Sequence, residues 1–153
     1  MTSNREAIMA ALCGLLAQAQ FASPICGRMT WATLSRRVKL WSDVAAADQP
    51  ALFVGEHGEN VVYSGETFPG KTTLNVDLLI YTSTGRDPDS TPARDLNIAI
   101  EALIATLTPD PKVGRQTLGG LVQYCRVEGR VVKDPGDLDG QGFALVPVRI
   151  LIP

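Results

Sequence analysis

The sequence predicts an α+β fold, a single domain in which an antiparallel or mixed β-sheet carries two main helices on one face. Three observations predict it. The chain has 153 residues, the length of one domain, so a single domain spanning 1–153 is expected. Two segments repeat their apolar residues with the 3.6-residue period of a helix, whereas the stretches between and after them alternate with period 2. The two helices are also not interleaved with every strand, as a parallel α/β sheet would require. A chain of this mass buries about two-thirds of its unfolded surface on folding, which supports a core without staples.

The first helix is expected to start at Ser3-Asn4-Arg5-Glu6, an S-x-x-E capping box in which hydroxyl and carboxylate each satisfy an orphan backbone N–H. Ile8, Leu12, Leu15 and Leu16 then fall on one face, and Phe21 and Pro24 mark the exit. The second helix is expected from Thr91-Pro92, a cap followed by proline at the first helical position. Its stripe is Leu96, Ile100, Leu103, Ile104 and Leu107, and Pro109 and Pro111 end it. Leu74, Val76, Leu78 and Ile80 alternate with Thr73, Asn75, Asp77 and Leu79, the pattern of a strand with one buried face. Residues 36–41, 50–56, 60–64, 120–132 and 143–152 read as further strands. Pro147 cannot donate to a ladder, which predicts an edge or a bulge in the last of them. Segments 83–91 and 134–142 read as mobile loops.

Composition narrows the function classes. With 45% hydrophobic and 20% charged residues the chain is ordinary for a globular protein, and no apolar run reaches the roughly 18 residues of a membrane span. Its 14 basic and 16 acidic residues leave a net charge of −2 with no long run of one sign, which argues against nucleic-acid binding by bulk charge. Cys13, Cys26 and Cys125 are an odd number without a CxxC, and the start lacks the layout of a secretory signal. Reduced thiols in a cytoplasm are expected.

The sharpest motif is Gly65-Glu66-Thr67-Phe68-Pro69-Gly70-Lys71-Thr72, a full match to the phosphate-loop pattern G-x-x-x-x-G-K-[ST]. That loop needs a helix after it, whose N-terminus supplies part of the anion field. Here a β-branched, alternating segment follows instead, so the context favours a hairpin with a type II turn at Pro69-Gly70. His57, the one histidine, lies in Gly55-Glu56-His57-Gly58-Glu59, a composition typical of a turn, and no nucleophile elbow accompanies it. Glu56, His57 and Glu59 lack the spacing of a metal site. Asp134, Asp137 and Asp139 with Gly136 and Gly140 suggest a calcium loop, but the EF-hand register puts Pro135 first and Val146 twelfth, where carboxylates are required. Arg36, Arg37 and Lys39, between Trp31 and Trp41, read as a strand with charges on its solvated or interfacial face rather than a single-strand nucleic-acid platform. No catalytic residue, metal site or cofactor site is expected.

Several blocks in order resemble small tail proteins of tailed phages and prophages. They are Arg36-Arg37-Val38-Lys39-Leu40-Trp41-Ser42-Asp43-Val44, Gln49-Pro50-Ala51-Leu52-Phe53, Thr73-Leu74-Asn75-Val76-Asp77-Leu78, Gln116-Thr117-Leu118-Gly119-Gly120-Leu121-Val122 and Val146-Pro147-Val148-Arg149-Ile150-Leu151. The resemblance runs from the first helix to the end of the chain, and the group these blocks resemble is the tail terminator, or tail-completion, family. The resemblance implies an α+β structural virion subunit, not an enzyme, that forms a ring, usually of six, on the last ring of the tail tube. Such a ring stops tube polymerisation and meets the head-completion or connector proteins, at the head-proximal end of the tail and with no membrane partner. DNA passes through its lumen unread, which suits a mildly acidic chain. Head-to-tail ring contacts need two different surface patches. The candidates are Arg36, Arg37 and Lys39, the hairpin residues Phe68, Pro69 and Lys71, and Arg86, Asp137 and Asp139 in the two long loops. Another head–tail connector or tail-tube component, or a nucleotide-binding enzyme using Lys71 and Thr72, are the alternatives.

Overall fold

The computed structural model describes residues 4–65 and 70–153. Helix α1 (Asn4–Leu16) is followed by strands β1 (Thr33–Ser35), β2 (Ala51–Val62) and β3 (Lys71–Ser83), helix α2 (Pro92–Thr106), and strands β4 (Tyr124–Val127), β5 (Val132–Asp134) and β6 (Gln141–Ile152). The sheet order is β1-β2-β3-β6-β4, with β5 also paired to β6. Only β1 and β2 run parallel, so the sheet is mixed and the fold is α+β.

Alternation decides which face is covered. Leu52 and Val54 of β2, Leu74, Val76, Leu78 and Ile80 of β3, and Val146, Val148 and Ile150 of β6 all point to one side and are buried. Against them pack Ile8, Met9, Leu12 and Leu16 of α1 and Leu96, Ile100 and Leu103 of α2, so both helices lie on this face. The opposite face is covered only at one end. There Val44, Ala51, Phe53 and Tyr81 form a second, smaller cluster, and the Tyr81 hydroxyl donates to the Lys39 carbonyl at 2.6 Å.

Several expectations need correction. Residues 36–41 are not a strand: Ser35 Oγ accepts the Arg37 N–H at 3.0 Å, a local turn that ends β1, and the chain then crosses to the second face through a short 3-10 turn at Trp41–Asp43. The expected strands 50–56 and 60–64 merge into one, β2 (Ala51–Val62), because the Gly55-Glu56-His57-Gly58 stretch forms a bulge between Glu56 and Gly58 rather than a turn. The 120–132 segment keeps only β4 and the start of β5 as strand. Pro147 lies inside the sheet, opposite Asp77. Its carbonyl accepts the Glu128 N–H at 3.1 Å, and in an extended strand a residue's nitrogen and oxygen point the same way. The nitrogen without a hydrogen therefore faces the gap between β4 and β5, and pairing with β3 loses nothing.

The helices fit their stripes with two differences. Ile104 is 50% exposed at the C-terminal end of α2, and the Thr91 side chain makes no capping hydrogen bond. Ser3 of the expected capping box lies outside the described residues.

Candidate functional site

The basic cluster divides in two. Arg36 donates from Nη1 and Nη2 to both carboxylate oxygens of Glu6 on α1, at 2.9 and 3.1 Å, and Nη2 also reaches Glu56 of β2 at 3.1 Å. The hydrogen bonds and charge of Glu6, then of Glu56, hold the guanidinium well above its ordinary pKa, and Arg36 in turn holds the Glu6 carboxyl below its own. A parallel clamp joins Arg5 of α1 to Glu59 of β2 at 2.7 and 2.9 Å. Arg36 is thus engaged within its own chain. Arg37 and Lys39 are exposed, with no side-chain ion pair among the described residues. Leu40 and Trp41 follow them at the surface, 69% and 52% exposed.

The two long loops meet. The Thr84 N–H donates to the Gly140 carbonyl at 2.9 Å, and Arg86, Asp137, Leu138 and Asp139 line one cleft between the loops beside Pro92 of α2. The 136–140 turn is stapled from within: Gly140 N–H donates to the Gly136 carbonyl, Gly136 N–H to Asp134 Oδ1, and Gln141 N–H to Asp139 Oδ1. Gly140 has φ +76°, and a Cβ there would stand 1.9 Å from the Gly85 carbonyl oxygen, so only glycine lets the loops touch. Leu138 stands at the apex, fully exposed at 104%. Lys71 is far away: it opens β3, whose 13 residues span about 40 Å to Ser83 at the loop end.

At the other end of α2 lies a groove of about 290 Å³, lined by Ile104, Leu107 and Pro109 on one side and Tyr124, Cys125 and Val127 of β4 on the other. Cys125 is buried in its floor, and burial pushes the thiol up to about 12. Arg115 also lines the groove, whereas the Arg126 side chain lies on the sheet face turned away from the helices, because Arg126 pairs with Arg149 while Cys125 pairs with the buried Ile150. Arg126 lies over the Tyr124 ring at 4.0 Å and shares Glu128 with Arg149, so the two arginines exceed their one carboxylate by a positive charge. Arg115 has no ion-pair partner among the described residues. Leu138 and Arg115 are not among the candidates named from the sequence. Leu138 did carry a signal, a lone apolar side chain in a Gly/Asp loop with no stripe to join; Arg115 carried none.

The phosphate-loop string lies in the connection between β2 and β3. Lys71 pairs with Val62 at the start of a strand, in place of the helix that phosphate binding needs. Gly70 has a packing reason of its own, because a Cβ there would stand 2.8 Å from the Tyr63 ring. Phe68 and Pro69, and with them the expected type II turn, lie outside the described residues. His57 Nδ1 is 3.2 Å from Asp77 Oδ2 across the bulge, a largely exposed pair with no nucleophile beside it among the described residues. Among the described residues no group of three or more His, Cys, Asp or Glu side chains is placed to hold a metal ion, and no helix is long and apolar enough to cross a membrane. No family model matches the chain, and no curated protein matches it either.

Proposed function

We propose that the chain is the subunit of a phage tail terminator: a structural ring, of six copies, that caps the tail tube, stops its polymerisation and joins the tail to the head-completion or connector protein. In this reading it belongs to the virion, at the head-proximal end of the tail, after assembly in the host cytoplasm. DNA passes through the ring without sequence readout, and no cofactor or catalysis is involved.

The observation that carries the reading is the placement of exposed apolar side chains on well-separated parts of one small domain. Val61, Val62 and Tyr63 lie at the hairpin end, Leu40 and Trp41 beside the uncovered sheet face, Leu138 on the loop cleft, and Ile104 beside the α2 groove. The adjacent groups Val61–Tyr63 and Leu40–Trp41, on different parts of one domain, suit a subunit with neighbours on more than one side.

The test is negative-stain electron microscopy of a lysate from a phage or prophage carrying an early stop codon in this gene. Filled heads beside unattached tails, with tails of abnormal length, are expected. Normal infectious particles would sink the reading.

A further inference from the structure

Two surface features at opposite ends of α2 have complementary shape and charge. The first is a knob: Leu138 projects from a turn closed by its own hydrogen bonds, with Asp137 and Asp139 on either side. Asp137 has no ion-pair partner among the described residues, and Asp139 spends one oxygen on the Gln141 N–H. The second is the groove of about 290 Å³ between the end of α2 and β4, its walls apolar and Arg115 among the residues that line it. That volume is just below the range of small-molecule sites and suits a side chain or two.

From these we infer that the Asp137-Leu138-Asp139 knob of one copy seats in the α2–β4 groove of the next copy, with Leu138 against Ile104, Leu107 and Val127 and the aspartates facing Arg115. The partner is a second copy of this chain, because each half of the contact carries what the other lacks. The knob offers an apolar tip with negative flanks, the groove an apolar floor beside the Arg115 cation, which has no ion-pair partner among the described residues. The knob's backbone is already fixed, so docking orders little and the leucine's contact area is not spent on loop entropy.

One molecule cannot satisfy itself. Pro92 lines the knob's cleft and Ile104 the groove, and a 15-residue helix separates its ends by about 22 Å. A contact between two different patches is heterologous, and it closes into a ring when its rotation allows. The inference rests on the ring reading above and supplies the residues of its subunit contact.

The test uses sedimentation of the full chain and two surface variants, Asp137→Arg and Arg115→Glu. Neither side chain has a partner in the described structure, and circular dichroism melts confirm that both variants fold. The wild type is expected to assemble, and each variant to assemble at least about tenfold more weakly. An equimolar mixture should regain wild-type assembly, because each reversed knob then meets a reversed groove and each native knob a native groove. Leu138→Asp is expected to weaken assembly with no rescue by either variant. Folded variants that assemble like the wild type would overturn the knob-in-groove contact and leave the ring reading standing; so would a mixture that stays dissociated. A wild-type chain that stays monomeric up to its solubility limit would overturn the knob-in-groove contact as a self-standing interface, and the ring reading would then stand or fall on the lysate.

Discussion

Arg36 illustrates how a side chain that reads as a free surface charge becomes part of the fold's own frame. Its guanidinium joins α1 to β2 through Glu6 and Glu56, whereas Arg37, one residue on, points to solvent. Exposed ion pairs are individually weak, but a fork shared by two carboxylates resists screening better than a lone pair. Arg36→Ala is expected to lower the thermal midpoint by about 2–4 °C, and Arg37→Ala to leave it within about 1 °C. Calorimetry of the two variants decides it, and equal shifts would contradict the assignment. The cysteines differ in the same residue-level way. Reaction needs the thiolate, and burial raises the pKa of all three thiols, most of all that of Cys125, to about 12. Native-state alkylation at pH 8 should therefore modify Cys13 and Cys26 while sparing Cys125, with all three modified after denaturation. Mass spectrometry reads the pattern, and early loss of the Cys125 thiol in folded protein would refute it.

Elements were legible where one periodicity ran long enough. The α1 stripe is buried as its spacing implies, so Leu12→Ala should cost about 2–5 kcal/mol, measured by urea unfolding. The β3 alternation was equally plain, since Leu74 through Ile80 face the helices at every second residue. What failed was the reading of interruptions. Gly55-Glu56-His57-Gly58 has turn composition, yet strands on both sides pair with the same partner, β3, and a bulge absorbs the extra residue. Pro147 suggested an edge because sequence shows that a donor is missing but not which way the nitrogen points. Residues 36–41 alternate like a strand, but the Tyr81 hydroxyl holds the Lys39 carbonyl and packing at Val44 draws the chain across the sheet. The candidate surfaces were legible only in part. Arg86, Asp137 and Asp139 do meet in one cleft, but the pairing of loops 84–91 and 134–142 is a tertiary event that no local pattern encodes. It hinges on Gly140. Gly140→Ala puts a Cβ against the Gly85 carbonyl at positive φ and should cost roughly 2 kcal/mol or more, with the loops driven apart. A melt within about 1 °C of wild type would show that the loops do not depend on that contact.

At the scale of the whole molecule, the two helices cover the same sheet face but respond to acid differently. α1 is clamped to β2 by the carboxylates of Glu6 and Glu59, and the hydrogen bonds and charges of Arg36 and Arg5 hold both below their ordinary pKa. A carboxylate whose pKa is lower in the folded state than in the unfolded state contributes stability that is fully present above the unfolded value and is lost as pH falls through the folded one. Acid therefore removes the α1 clamps from about pH 4.5 downward. Asp95, in the first turn of α2, is shifted the other way: burial raises its pKa, only partly opposed by Arg94. Its charge is the less favoured form in the fold, so protonation over the range just above its unfolded value favours the folded state. Acidification in this window thus weakens the tie of α1 and relieves a cost in α2. The expected outcome is that amide protection factors fall in α1 and along residues 56–59 of β2 at a higher pH than in α2. Glu6→Gln combined with Glu59→Gln should abolish this difference, because the variant has already lost its clamps at neutral pH. Hydrogen exchange followed by mass spectrometry from pH 7 to pH 3 measures both, and simultaneous loss of protection in the two helices of the wild type would show that the clamps do not govern how α1 is held.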